Sequence, residues 1–264
     1  MNAVTMPSTR LDNRFFLGAG IATMALVLWG FAHTYYLKVL FNSPMLPFRL
    51  HLHGAVMTLW IAMFFAQTCL ISAHRVDIHK RLGMFGVLIA VGVVILGTTT
   101  TVHAAAREVN AHSSAAAGRV VVLGVELIQM VLFAGFVAAA IWWRRRRDTH
   151  KRLMLLATAC LLPSPIGRLW FVQSNLTILL LFDAAVLAFV LADTLVKRRL
   201  HPAFIWGSLV LLASLNLGYA GSITPEWRAF GTRLVSEDPV TASSVQPLEL
   251  IPVALHLSTK VKYE

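Results

Sequence analysis

Seven apolar stretches, each about as long as a bilayer-crossing helix, dominate the sequence. A helix needs about 20 mainly apolar residues to cross the ~30 Å hydrocarbon core of a membrane. The stretches lie at 15–37, 50–72, 82–104, 119–143, 152–172, 176–196 and 203–221. Only 13% of the residues are charged, whereas a soluble domain carries roughly 25%. The sequence therefore predicts an all-α, polytopic membrane bundle of seven transmembrane helices over residues 1–221.

The positions of the basic residues indicate how this bundle is oriented. The chain carries 23 Lys and Arg against 12 Asp and Glu. With the N-terminus inside, 14 of those 23 lie on the inner side and five lie in outer loops. Cytoplasmic loops are enriched in Lys and Arg, so we expect a bacterial inner-membrane protein with a cytoplasmic N-terminus and a periplasmic C-terminus. Nucleic-acid binding is not expected, because no basic surface with interleaved aromatic residues lies outside the short loops.

Three local features refine this picture. Pro163 and Pro165 remove backbone donors and are expected to kink the fifth span. Residues 75–82 and 146–153 share a motif in which Asp77 and Asp148 suit helix N-caps, which suggests a two-helix unit repeated in parallel. The tail, 222–264, is expected to be a loosely ordered outer extension, or an amphipathic stretch around 248–257 that lies on the membrane surface.

Polar and ionisable residues within the spans are costly in lipid, so each is a candidate functional residue. At 1.5 Å per residue, one set falls in the outer half of seven different helices: His33, His53, His103, Glu126, Gln129, Arg168, Asp183 and Asn216. His53, Trp60 and Gln67 are seven residues apart, which predicts one stripe that faces the bundle interior. His51 cannot share that face, and His53 is the deeper of the two. We therefore expect a polar cavity in the outer half.

The chemistry of this outer cluster has three interpretations. Histidine and carboxylate are usual ligands of zinc, iron and copper, and His33, His53, His103 and Glu126 would supply enough donors for a metal site. The same groups could relay protons or bind a polar ligand. They could instead be structural pairs, Arg168 with Asp183 and His53 with Glu126, that satisfy each other in lipid. Asp193, farther along, is expected to be a simple helix-end residue.

A second pair of histidines lies on the inner side. His79 and His150 open spans three and five at the same depth. Two imidazoles from different helices are suitable axial ligands for a low-spin haem b, and the cations Lys80 and Arg152 would suit its propionates. The alternative is that both histidines cap helices at the interface and contact lipid phosphate.

These motifs carry a resemblance that covers about 150 residues. His51-Leu-His53-Gly, Trp60, Gln67, the stretch 75–83, the stretch 150–154 and Arg168 resemble a widespread group of uncharacterised seven-helix proteins of the bacterial inner membrane. More remotely, His79 and His150 resemble the helix-start histidines of the cytochrome b561 superfamily, which would imply a haem-b core that moves electrons across the membrane. His53 could stand for the ligand of span two, whereas span four contains no histidine.

Three functions follow as expectations. The first is binding of haem b or a transition metal with an electron-transfer role, which could make the chain a membrane oxidoreductase that exchanges electrons with quinone or another redox partner. The second is a small-molecule or proton-coupled transporter that uses the outer cavity. The third is an assembly or scaffold subunit without chemistry of its own.

Overall fold

The computed structural model describes residues 7–41 and 43–236, and these residues are all-helical, without a strand. They form nine α-helices and one π-helical segment, Ala32–Tyr36. The α-helices are α1 (Pro7–Gly30), α2 (Phe48–Ser72), α3 (Val76–Asn110), α4 (Ala116–Trp142), α5 (Arg147–Ala159), α6 (Pro163–Ile166), α7 (Asn175–Lys197), α8 (Pro202–Ser222) and α9 (Pro225–Val235).

Six of these helices are long and apolar enough to cross a membrane, namely α1 from Leu11 onward, α2, α3, α4, α7 and α8. Their outward faces expose large apolar side chains, such as Leu88 at 70%, Leu191 at 60% and Leu217 at 72%. Continuous apolar surface of this extent is unusual on a soluble monomer and suits contact with lipid. The prediction of an all-helical bundle with multiple membrane-spanning helices is therefore confirmed at this level.

Helices α2 and α3 run antiparallel. His53 and Gln67 of α2 bond to the carbonyls of Leu96 and His79 of α3 respectively, so one helix ascends as the other descends. We call the end of the bundle that holds His79, Lys80, Arg81, Arg144–Arg147 and Lys151 the basic end, and the other end the Arg168 end. The central core lies between them and includes Trp60, which is packed edge-on against Phe133 with ring centroids 4.8 Å apart.

The fifth apolar stretch does not form one continuous helix. Helix α5 ends at Ala159, and α6 begins at Pro163, whose ring removes a backbone donor. The predicted kink is therefore confirmed as an interruption. The two pieces still accompany α1 along its length, because Lys151 of α5 pairs with Asp12 and α6 packs its Pro165 backbone against Gly30.

The expected N-cap roles of Asp77 and Asp148 were wrong. Arg75 and Arg146, rather than Asp77 and Asp148, occupy the N-cap positions, and neither cap makes a side-chain hydrogen bond. The aspartates lie in the first turn, where a negative charge still complements the helix dipole.

Part of the tail is helical rather than loosely ordered. Residues 225–235 form α9, which packs on α3 and α4 through Trp227, whose Nε1 donates to the carbonyl of Val120 at 3.0 Å. The stretch 248–257, expected to be amphipathic, lies outside the described residues.

Candidate functional site

The structure brings His79 and His150 together at the basic end. They come from the first turns of α3 and α5, and their ring centroids lie 6.4 Å apart with the ring planes nearly perpendicular. The two histidines of the repeated motif are therefore direct neighbours. This is the juxtaposition that their matching depth in the sequence predicts.

Hydrogen bonds set the orientation of this pair. His150 Nδ1 lies 2.8 Å from the carbonyl oxygen of Ala140, in the last turn of α4. Because a carbonyl only accepts, Nδ1 carries the proton, and in the uncharged tautomer with that proton Nε2 is the nitrogen that can bind a metal. His79 Nδ1 is buried and has no hydrogen-bond partner among the described residues. Gln67 donates to the backbone carbonyl of His79 at 3.2 Å and fixes the start of α3 against α2. Each ring thus keeps at least one nitrogen for a ligand.

The two cations predicted to accompany this pair differ in environment. Lys80 is exposed beside His79. Arg152 is fully buried, and its Nε and Nη2 donate to both carboxylate oxygens of Asp193 at 2.8 and 2.7 Å, while Nη1 donates to the carbonyl of Asp148. Its guanidinium is therefore committed within the protein, and the expected role for Arg152 in cofactor binding does not fit this arrangement. Asp193 is correspondingly a buried ion-pair partner rather than a simple helix-end residue.

A network of charges also lies at the basic end and was not predicted. Lys151 Nζ pairs with Asp12 and lies 2.8 Å from Asp148 Oδ1. Lys197 Nζ lies 3.0 Å from the same Asp12 carboxylate. The network joins α1, α5 and α7, so the basic end is held together by ion pairs. The sequence feature that could have revealed this network is the presence of single acidic residues among the basic loops.

At the Arg168 end, a second polar cluster lies between α2, α4 and the segment after α6. His53 Nδ1 bonds to the Leu96 carbonyl at 3.2 Å. Arg119 lies 3.4 Å from Glu126. Arg168 lies near enough to His53 and Glu126 for its charge to act on both, without a hydrogen bond or ion pair to either among the described residues. Side chains from α2, α4 and the segment after α6 therefore form one electrostatic group.

The bundle interior contains buried polar groups, including two without partners among the described residues. Gln129 follows Glu126 by one helical turn and is 6% exposed. Trp60 Nε1 and Thr101 Oγ1 are buried without a partner in the described part of the chain. Buried polar groups are normally satisfied by protein, water or ligand. Water or a ligand would satisfy these two atoms.

The structure does not assemble the four predicted metal ligands. His33 is exposed and packs against Phe41, with ring centroids 6.3 Å apart. His103 is exposed on α3. His53 and Glu126 lie in the cluster described above. Within residues 7–41 and 43–236, no group of three or more His, Cys, Asp and Glu side chains is placed to hold a metal ion.

The remaining predicted residues form different pairs from those expected. Asn216 Nδ2 donates to both carboxylate oxygens of Asp183, at 3.2 and 3.1 Å, which links α7 to α8. Arg168 instead donates to Ser164. The expected pairing of Arg168 with Asp183 is therefore wrong. His51 faces the π-helical segment, where its ring lies beside Tyr35 and 3.5 Å from Lys38 Nζ, so it points away from His53.

Comparison of the chain with protein-family models, with curated proteins and with solved structures found no match.

Proposed function

We propose that this chain is a membrane redox protein in which His79 and His150 hold haem b or a transition-metal ion. The observation that carries the proposal is the meeting of these two rings from separate helices, 6.4 Å apart between centroids. A metal ion bound at about 2 Å to one nitrogen of each ring would hold the centroids roughly 6 Å apart. The separation of the rings therefore suits a shared metal.

The surroundings of the pair also suit a ligand set. The Ala140 carbonyl accepts from His150 Nδ1, and a hydrogen bond of this kind typically fixes the tautomer and the orientation of a metal-binding imidazole. The buried, unpartnered Nδ1 of His79 is otherwise an unsatisfied polar atom, which the described structure leaves unexplained. Both features favour ligation over a purely structural contact.

The face of α3 beside His79 carries two glycines, whose small size would favour the approach of a flat group. Gly83 and Gly86 follow His79 by one and two turns. A Cβ added at either glycine would come within 4 Å of only one described side chain, Gln67 or Met63 respectively. Lys80 and Arg81 are exposed next to this face and could reach the propionates of a haem. Arg152 would stabilise the fold there and would not touch the cofactor.

The proposed role is electron transfer. A haem with two histidine ligands has both axial positions filled and supplies one-electron redox chemistry rather than oxygen binding. The basic end is the side where a soluble partner or the headgroup of a quinone could approach the pair. Whether the chain also acts as an oxidoreductase depends on such a partner.

The proposed topology has seven crossings with the N-terminus inside and the C-terminus outside. In addition to the six long helices, α5 and α6 would together make the fifth crossing, because they contact α1 near Asp12 at one end and at Gly30 at the other. The concentration of Lys and Arg at the basic end favours a cytoplasmic position for that end in a bacterial inner membrane.

The visible absorption spectrum of the purified protein tests the cofactor. With haem b bound, the wild type shows a Soret band with low-spin features that His79→Ala and His150→Ala lose; with a metal ion alone, elemental analysis finds the metal in the wild type and not in these variants. His74→Asn is a matched control, because His74 is an exposed histidine at the same end whose left-handed backbone (φ 60°) asparagine tolerates. A protein that shows no Soret band and contains no bound metal would refute the proposal.

A further inference from the structure

Arg168 is held in place by its neighbours at one side only. Its Nη1 donates to the backbone carbonyl and to Oγ of Ser164, at 2.7 and 2.8 Å. Its guanidinium carbon lies 4.3 Å from the centre of the Phe31 ring, which adds a cation–π contact. Anchoring and stacking together fix the plane of the guanidinium. The opposite edge, formed by Nε and Nη2, has no hydrogen-bond partner in residues 7–41 and 43–236.

The same edge of another arginine in this protein holds a carboxylate. Arg152 uses Nε and Nη2 to bind both oxygens of Asp193 at 2.8 and 2.7 Å. This side-on fork matches the spacing of carboxylate oxygens, and charge-assisted bonds of this kind are about twice as strong as neutral ones. Arg168 therefore presents, already oriented, the geometry that binds Asp193 elsewhere in the fold.

Arg168 also lines a cleft of about 480 Å³ at its end of the bundle. The walls are mainly aromatic and apolar, and they include Trp29, Phe41, Leu169 and Trp170. Clefts of several hundred cubic ångströms with apolar walls and a few polar groups are typical of sites for small organic molecules. The cleft thus suits a ligand with a small apolar or aromatic body next to an anionic group.

The charges near Arg168 suit a ligand with a single negative charge. Among the described residues of the electrostatic group, Arg119 and Arg168 are positive and Glu126 is negative, which leaves one excess positive charge when His53 is counted as neutral. A monoanion would balance the group, whereas a dianion such as a phosphate monoester would be repelled by Glu126.

We propose that the cleft at Arg168 binds a small organic monocarboxylate, with the carboxylate on Nε and Nη2 of Arg168 and the organic body between Trp29 and Trp170. This site is at the opposite end of the bundle from His79 and His150. It rests on separate contacts and stands whether or not the histidine pair holds a cofactor. The carboxylate could come from water or from a fatty acid in the membrane, and the chemistry recognised by Arg168 is the same.

A binding titration with matched probes tests this site. The full chain in zwitterionic lipid nanodiscs is titrated with benzoate, a water-soluble carboxylate, with decanoate, a membrane-borne one, and with neutral benzyl alcohol. Tryptophan fluorescence reports binding, because Trp29 and Trp170 line the cleft. We expect saturable binding of a carboxylate and at least about tenfold weaker binding of benzyl alcohol. Saturation with benzoate indicates a soluble ligand, and saturation with decanoate alone indicates a fatty acid.

Variants separate recognition by Arg168 from general charge effects. Arg168→Gln is expected to lower carboxylate affinity by about tenfold or more, and Arg168→Lys by an intermediate factor, because lysine keeps the charge but loses the fork. Arg49→Gln removes an exposed arginine at the same end outside the cleft and should leave affinity within about twofold.

A variant that is expected to bind the carboxylate more tightly must be folded, so it separates a loss of recognition from misfolding. Glu126→Gln removes the competing negative charge and is expected to raise carboxylate affinity by about threefold or more. The proposal is overturned if Arg168→Gln binds the carboxylates as tightly as the wild type, if benzyl alcohol binds as well as benzoate, or if Glu126→Gln fails to increase affinity.

Discussion

Arg152 and Asp193 form a bidentate ion pair in which only 1% of each side chain is exposed, and they are 41 residues apart in the sequence. The pair joins α5 to α7, and Arg152 Nη1 also bonds to the carbonyl of Asp148. Arg81 occupies the equivalent position in the first copy of the repeated motif but is exposed. The two copies of the motif have therefore diverged, and only the second provides a buried interhelical pair.

We expect Arg152→Ala or Asp193→Ala to lower the free energy of unfolding by about 3–5 kcal/mol, because each leaves an uncompensated buried charge. The double variant Arg152→Met with Asp193→Leu should recover most of this loss, since apolar replacement of a buried pair is often neutral. Denaturant titration in micelles measures these values. Arg81→Ala should change stability little, and an equal loss there would contradict the assignment.

The contact between α1 and α6 depends on Gly30. A Cβ at position 30 would lie 2.9 Å from the Cα and carbonyl carbon of Pro165 and closer still to its carbonyl oxygen. Because the clash is with backbone, we expect Gly30→Ala to lower the melting temperature and cost about 1–3 kcal/mol.

Gly18 lies on the same helix and has no described atom within 4 Å of an added Cβ. Gly18→Ala should therefore be neutral or stabilising by up to about 1 kcal/mol, as expected for alanine in a helix. If both glycine variants behaved alike in thermal unfolding, the packing of α6 on α1 would be contradicted.

The docking of α9 on the bundle depends on Gly124 of α4. An added Cβ there would come within 2.9–3.0 Å of the Trp227 indole, whose Nε1 bonds to the carbonyl of Val120. We expect Gly124→Ala to loosen α9 and to raise amide hydrogen exchange across residues 225–235. Gly118→Ala, on the same helix but with open space around it, should leave exchange in α9 unchanged; increased exchange there would argue against this specific contact.

His201 makes stability depend on pH. It precedes α8, and its Nδ1 accepts from the backbone N–H of Ala203 at 3.3 Å. Burial, followed by the charge of Arg152, lowers the pKa of His201 below its ordinary value of about 6.5; Arg199 acts in the same direction, and Asp148 and Asp193 oppose it. The unfolded chain therefore takes up a proton at a higher pH than the folded chain does.

It follows that the contribution of His201 is fully present above about pH 6.5 and is lost as the pH falls from there through the folded pKa. His201→Asn keeps a cap acceptor and removes the titration. Unfolding free energies measured from pH 8 to pH 5 should decrease more for the wild type than for this variant. Parallel curves for the two proteins would rule out this role.

Much of the fold was accessible from the sequence because it depends on local patterns. Apolar runs located the long helices, and Pro163 located the break in the fifth. Periodicity distinguished His53 from His51, and matching depth predicted that His79 and His150 would meet. Each of these inferences needs only the geometry of one helix and the thickness of a bilayer.

The errors arose where the partner of a residue belongs to a distant helix. Depth placed Arg168 and Asp183 at one level, but it could not show that Ser164 and Phe31 hold Arg168 while Asn216 holds Asp183. Arg152 looked like a free interfacial cation because nothing local reveals that Asp193 of α7 faces it. Lateral order in a bundle is set by packing between helices, which a periodic pattern does not encode.

The metal content of the purified protein tests the central claim most directly. Elemental analysis, combined with haem extraction, gives the metal and haem bound per chain for the wild type and for the double variant His79→Ala with His150→Ala. The account predicts about one haem or one metal ion per wild-type chain, held by the two imidazoles, and close to none in the variant. Wild-type protein free of both, or equal metal in the two proteins, would contradict it.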